Sequence, residues 1–168
     1  MNSHLHEFIE CNLQAHLVKY RGQFFEITEQ IEQAFEQTSL EYFALPTFDQ
    51  ELEQRWITRA FLDKPWPQLL GKPVSRNLST LYSLDVRSFI SILPAFLVTS
   101  FFDLDTFHAT TRQLLPGTTD FYERIEFMSA SQHEAIRSWL VLMTDYNELP
   151  FMNELHCERF CSYWNFCN

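Results

Sequence analysis

Between Arg87 and Asp103 the chain runs for fifteen residues, Ser88 to Phe102, without one charged side chain. A stretch that apolar must leave water, and it can do so in a bilayer or in a protein core. A membrane-spanning helix needs about 20 mostly apolar residues. This run is shorter and contains Pro94 and four Ser or Thr, so it belongs to a core. Val86, Phe89, Ile90, Leu93, Phe96, Leu97 and Phe101 recur at the helical period. Asp85 stands where a helix cap is needed. Apolar or small residues on both faces predict a central buried helix near 86–102. Pro94 removes one backbone donor and is expected to kink that helix or split it at Leu93.

A buried helix needs others around it. The chain has only three glycines, Gly22, Gly71 and Gly117, too few for an architecture of tight hairpins. An apolar fraction of 46% with seventeen Phe excludes a disordered chain. At 168 residues the chain can bury about 70% of its unfolded surface, so folding requires neither metal nor disulfide. The expectation is an all-α protein, a compact single-domain bundle of about seven helices spanning residues 1–168.

Ser3 is expected to cap a first helix over residues 4–20, with Gly22 as its stop. Thr28 should open a second helix whose buried stripe is Ile31, Ala34 and Phe35. Asp49 should cap a third, with Leu52, Trp56, Ala60 and Phe61 inward. Pro65, Pro67, Gly71 and Pro73 predict an irregular segment over 64–74, with Trp66 plugging the core. Residues 77–84 fit a short helix or a packed loop. Asp105 is expected to cap a helix ending near Leu115, and Asp120 a short turn around Phe121 and Ile125. Ser131 with Glu134 has capping-box spacing ahead of Ala135, Ile136, Trp139, Leu140 and Met143. Pro150 should open a last helix containing Leu155, Cys157, Phe160, Cys161 and Trp164.

Charge is distributed unevenly. Residues 1–54 carry ten acids against two bases, and residues 55–168 carry twelve against ten, so nearly all of the formal charge of −10 lies in the first third. From Gly22 to Glu53 there are eight acids and no Lys or Arg. Acids three or four apart on a helix (Glu26/Glu29, Glu29/Glu32, Glu32/Glu36) forgo the few tenths of a kcal/mol that opposite-charge pairs supply. Such a field repels nucleic acids and membrane surfaces and attracts basic partners.

The order of features from Ile27 to Met143 resembles an uncharacterised bacterial all-helical family, a domain of unknown function. The likeness lies in Ile31 to Phe35, a following Trp (Trp56 or Trp66), Leu93-Pro94-Ala95-Phe96-Leu97 after Phe89, and the spacing of Gln132, Ala135, Trp139 and Leu140. It implies a helical domain with a core near 23–147, to which a helix at 4–20 and a cysteine-containing helix at 150–166 are additions. It implies no activity.

Candidate chemistry is sparse. Cys157, Cys161 and Cys167 beside His156 could ligate zinc, but their spacings match no zinc motif. Cys157, Phe160, Cys161 and Trp164 also form one apolar helical stripe. The four cysteines, Cys11 included, are read as reduced thiols of a cytosolic protein. Asp103, Asp105 and His108 could hold a divalent cation, but a helix start with Asp105 as cap is preferred. His4 and His6 with Glu7 could form a metal site but are expected to be solvated near the terminus. His133-Glu134 lacks the second His of a zinc-protease helix. No nucleophile elbow, Walker loop or dinucleotide fingerprint occurs. No cofactor and no metal are expected. Glu7 and Glu10 stand where a signal peptide would be basic or apolar, so a cytoplasmic location is expected.

The leading expectation is therefore a non-enzymatic protein-binding module. Its sharper form is a bacterial immunity protein, an antitoxin-like inhibitor of a basic toxin. Glu29, Glu32, Glu36, Asp49, Glu51 and Glu53 would supply the field, and Tyr42, Phe43 and Phe48 the anchors. The alternatives are an enzyme or metal-binding protein built on Asp103/Asp105/His108 or the cysteine tail, and a structural helical protein that self-associates.

Overall fold

The computed structural model describes residues 2–35, 59–117, 121–147 and 154–165. The architecture is all-α, and no strand occurs among the described residues. In chain order the helices are α1 (Ser3–Asn12), α2 (Arg21–Ala34), α3 (Lys72–Ser75), α4 (Thr80–Ser83), α5 (Val86–Thr99), α6 (Leu104–Gln113), α7 (Phe121–Glu126), α8 (Ala130–Tyr146) and α9 (Glu154–Trp164). Two 3₁₀ segments, Ala15–Tyr20 and Trp66–Gln68, join them.

Helix α5 is the hub. Asp85 accepts from the backbone N–H groups of Arg87 and Ser88, as its position predicts. Leu93, Ala95, Phe96, Leu97 and Val98 are wholly buried. The helix runs through Pro94 unsplit. The proline deprives the Ile90 carbonyl of its helical donor, and burial of side chains on both sides of the site holds the backbone together. Around α5 pack α2, α3, α6, α7 and the Trp66 turn, and α8 lies along α2. Leu5 and Ile9 of α1 and Phe160 and Trp164 of α9 join the same hydrophobic cluster as α5. Both terminal helices are thus built into the body.

The N-terminal third departs from the sequence expectation. Asn2, not Ser3, caps α1, its side chain accepting from the His4 N–H at 2.9 Å. The helix ends at Asn12, whose amide turns back to the Phe8 carbonyl, and Leu13 and Gln14 are extended. Helix α2 then starts at Arg21 directly from the 3₁₀ turn, so Gly22 lies inside its first turn and stops nothing. Thr28 opens no helix and is buried in the middle of α2. The break lies where two residues turn extended, a choice the helical periodicity of 4–20 hides.

Two other caps shift. Asp103 rather than Asp105 caps α6, accepting from Thr106 N–H at 2.8 Å. Ser129 and Gln132, not Ser131 and Glu134, form the reciprocal capping box of α8. Both pairs fit the motif, and the earlier one wins because it starts the helix directly after the buried Met128. The 64–74 segment is irregular as expected, with Trp66 wholly buried. Gly71 there has φ +73° and donates its N–H to Thr99 Oγ1 at 3.0 Å. A Cβ at this position would stand 3.2 Å from Phe8 Cε2. The Asp49 and Asp120 caps, Leu52, Trp56 and the Pro150 start lie outside the described residues.

Tryptophans and one arginine tie the layers. The Trp139 indole N–H reaches Leu97 O and Ser100 Oγ, both at 2.9 Å, linking α8 to the end of α5. Trp164 N–H donates to Leu114 O at 3.0 Å. Arg124, only 2% exposed, donates to Gln113 Oε1 and to the carbonyls of Leu81 and Leu84, and its guanidinium lies 4.2 Å from the Phe89 ring centroid.

Candidate functional site

Helix α2 turns Phe24, Ile27, Thr28 and Ile31 into the core. The helical period therefore sends Glu26, Glu29 and Gln33 outward, and all three are exposed. Neither Glu26 nor Glu29 has an ion-pair partner among the described residues. Glu32, on the flank, is half-buried. Both of its oxygens accept from the backbone N–H of Asn2, at 3.1 and 3.0 Å. This carboxylate anchors the start of α1 against α2 and is not part of a free outward face.

Where α1 crosses α2, Glu10 accepts a hydrogen bond from Arg21. That bond, more than any other influence, lowers the Glu10 carboxyl below the ordinary range. Arg21 also lies 4.9 Å from the Phe25 ring centroid, and His6 stacks on the same ring at 4.8 Å. One of the two bases in the first third is thus engaged beside the acidic face. Of the remaining expected site residues, Glu36, Tyr42, Phe43, Asp49, Glu51 and Glu53, with Phe48, lie outside the described residues.

The candidate metal groups resolve differently. Among the described residues no cluster of three His, Cys, Asp or Glu side chains could hold a metal ion. Asp103 is committed to capping α6, Asp105 is exposed in the first turn, and His108 is half-buried one turn on. Burial lowers the His108 pKa below its ordinary value, and Asp105 opposes that. His4 and Glu7 are exposed on α1. Cys11 is a free, exposed thiol. Cys161 is disulfide-bonded, which overturns the expectation of four reduced thiols. The side chains of His156, Cys157 and Cys167 lie outside the described residues.

No helix among the described residues is long and apolar enough to cross a membrane. The chain matches no family model, no curated protein and no solved structure. The resemblance to the uncharacterised bacterial family rests on the quoted residues alone.

Sequence reasoning missed one concave feature. A cleft of about 440 Å³ opens where the first 3₁₀ segment, the α5–α6 turn and the end of α8 meet. Its walls come from three distant stretches of chain, Gln14–Tyr20, Ser100–Leu104 and Asp145–Asn147. No local motif signals such a meeting. The one hint in the sequence is a surplus of aromatic residues in these stretches.

Proposed function

We propose that this chain is a non-enzymatic protein-binding module that docks a basic protein on the acidic face of α2. The observation that carries the reading is the exposure of Glu26 and Glu29 with no cationic partner among the described residues. Two unneutralised carboxylates one turn apart forgo helix stability, as like charges at such spacing are mildly destabilising. They also project a negative potential, and the first 54 residues carry a net charge of −8. Complementary fields of this kind speed encounter by 10–10³-fold and select against acidic surfaces, nucleic acids included. A toxin with a basic cleft, such as a nuclease, has the required chemistry, which would make the chain an immunity-type inhibitor. No cofactor enters this function.

The decisive experiment couples capture from the native host with charge reversal. A basic partner should co-purify with the wild-type chain and dissociate as salt rises. The double variant Glu26→Lys/Glu29→Lys, with unchanged circular dichroism and melting temperature, should lose it. Retention of the partner by the folded double variant, or capture that is insensitive to salt, would exclude α2 as the docking face.

A further inference from the structure

The cleft beside the 3₁₀ segment is walled by ring faces and edged by carboxylates. Tyr20 is 6% exposed, and its ring lies 4.9 Å from that of Tyr146. The Tyr146 hydroxyl donates to Phe101 O at 3.2 Å, which turns the phenol inward and fixes the floor. Phe102 lines one side. Asp103 lines it from the α6 end and Asp145 from the α8 end. Asp145 is exposed.

One cation already sits at this cleft. The Lys19 ammonium lies 4.6 Å from the Tyr20 ring centroid, within the range in which a ring face attracts a positive charge. Tyr20, and with it Asp145, raises the Lys19 pKa above its ordinary value. The Tyr20 ring that would receive an incoming cation thus already faces the chain's own. Lys19 is itself exposed and borne on a flexible stem, so it can swing into solvent at little cost.

We propose that the cleft is a binding site for an ammonium or guanidinium group on an apolar stem, with Lys19 as its resident, displaceable occupant. The stem would lie against Tyr20, Phe102 and Tyr146, and the charged head would take the place of the Lys19 ammonium over the Tyr20 face, with Asp145 in the wall of the same cleft. Asp103 adds a second negative charge to the cleft while continuing to cap α6. The lining thus carries two carboxylates against one ammonium, with His16 also in the wall. A free alkyl amine and an Arg or Lys side chain on a partner share this chemistry. The site lies apart from the exposed carboxylates of α2, and it stands or falls independently of them.

The test uses the full chain and two probes, agmatine and the peptide acetyl-Gly-Arg-Gly-amide, with acetyl-Gly-Glu-Gly-amide as the anionic control. Titrations are followed by amide chemical shifts. The cationic probes should move resonances in 16–20, 100–104 and 145–147, and the anionic peptide should not. Binding of agmatine alone assigns a free amine, and binding of the peptide assigns a partner-borne side chain. Two variants at exposed positions should act in opposite directions, each by about twofold to fivefold, the size of an exposed charge pair. Lys19→Ala should tighten the cationic probe by vacating the Tyr20 face, and Asp145→Asn should weaken it. Shifts absent at millimolar probe, equal response to the anionic peptide, or weaker binding in Lys19→Ala would each overturn the assignment.

Discussion

Replacing Trp139 by Phe isolates what the indole N–H contributes where α8 meets α5. In the native chain that group donates to Leu97 O and Ser100 Oγ, both at 2.9 Å, and the side chain is wholly buried. Phenyl keeps most of the apolar contact, including that with Phe107, 5.7 Å away between centroids. The smaller ring leaves an unfilled volume that costs about 1 kcal/mol. Losing the donor adds about 1 kcal/mol, near the net worth of one hydrogen bond. That second figure stays modest because Ser100 Oγ still donates to Leu97 O at 2.6 Å, so both atoms keep one hydrogen bond. The total is about 2 kcal/mol, or a fall in melting temperature of roughly 4–8 °C for a chain of this length. Trp66 provides the internal control. It is equally buried, but its N–H has no hydrogen-bond partner among the described residues. Trp66→Phe should therefore lose packing and relieve an unsatisfied donor, for a net change near zero to about 1 kcal/mol. Urea unfolding of both variants, compared at equal m-value, gives the two numbers. Equal destabilisation of the pair, or a Trp139→Phe cost below that of Trp66→Phe, would refute this account of what the indoles do.

Other positions give shorter tests. Gly22→Ala should stabilise the chain by about 0.5–1 kcal/mol in the same urea assay, because the glycine lies within α2 and a Cβ there meets nothing within 4 Å. Gly71→Ala should do the reverse, by about 1–3 kcal/mol, since φ is +73° and the Phe8 ring crowds the new atom. Arg124→Met should cost about 3–5 kcal/mol, because it strips donors from buried acceptors at 81, 84 and 113. Tyr146 gives a pH test. Burial, above all, raises its phenol above the ordinary value, so the folded chain keeps the proton that the unfolded chain loses above about pH 10. Its contribution is complete below that pH and declines as pH rises further. Tyr146→Phe should flatten the alkaline limb of the stability profile, and an unchanged limb would exclude Tyr146 as the cause.

The elements best foreseen are those whose signal is dense. The uncharged run gave α5 and its Asp85 cap because seven apolar residues share one period and no rival cap stands nearby. Trp66 as a core plug followed from one large side chain among prolines. The errors cluster where two local solutions are nearly equal in energy. Residues 4–20 carry one continuous apolar stripe, yet the chain breaks at Leu13–Gln14 and resumes as 3₁₀. Two Ser-x-x-Glu/Gln boxes overlap ahead of α8, and two aspartates compete to cap α6. Tertiary packing decides each case, and it leaves no trace in a window of ten residues. For the site, charge asymmetry was legible, and Glu26 and Glu29 are exposed as an outward face requires. The inward turn of Glu32 was not, since its partner is a backbone N–H thirty residues away. The aromatic cleft was likewise invisible, assembled from three stretches that only the fold brings together.

Arg124 has a consequence for how this molecule opens. Helix α7 is six residues long, too short to persist alone in water. Its one buried cation is bonded to the carbonyls that close α4 and to a glutamine at the end of α6. If α7 lifts away, those acceptors lose their donor together, so the α4 end, the α6 end and α7 should exchange their amide protons as one cooperative unit, with a common opening free energy distinct from that of α2 and α8.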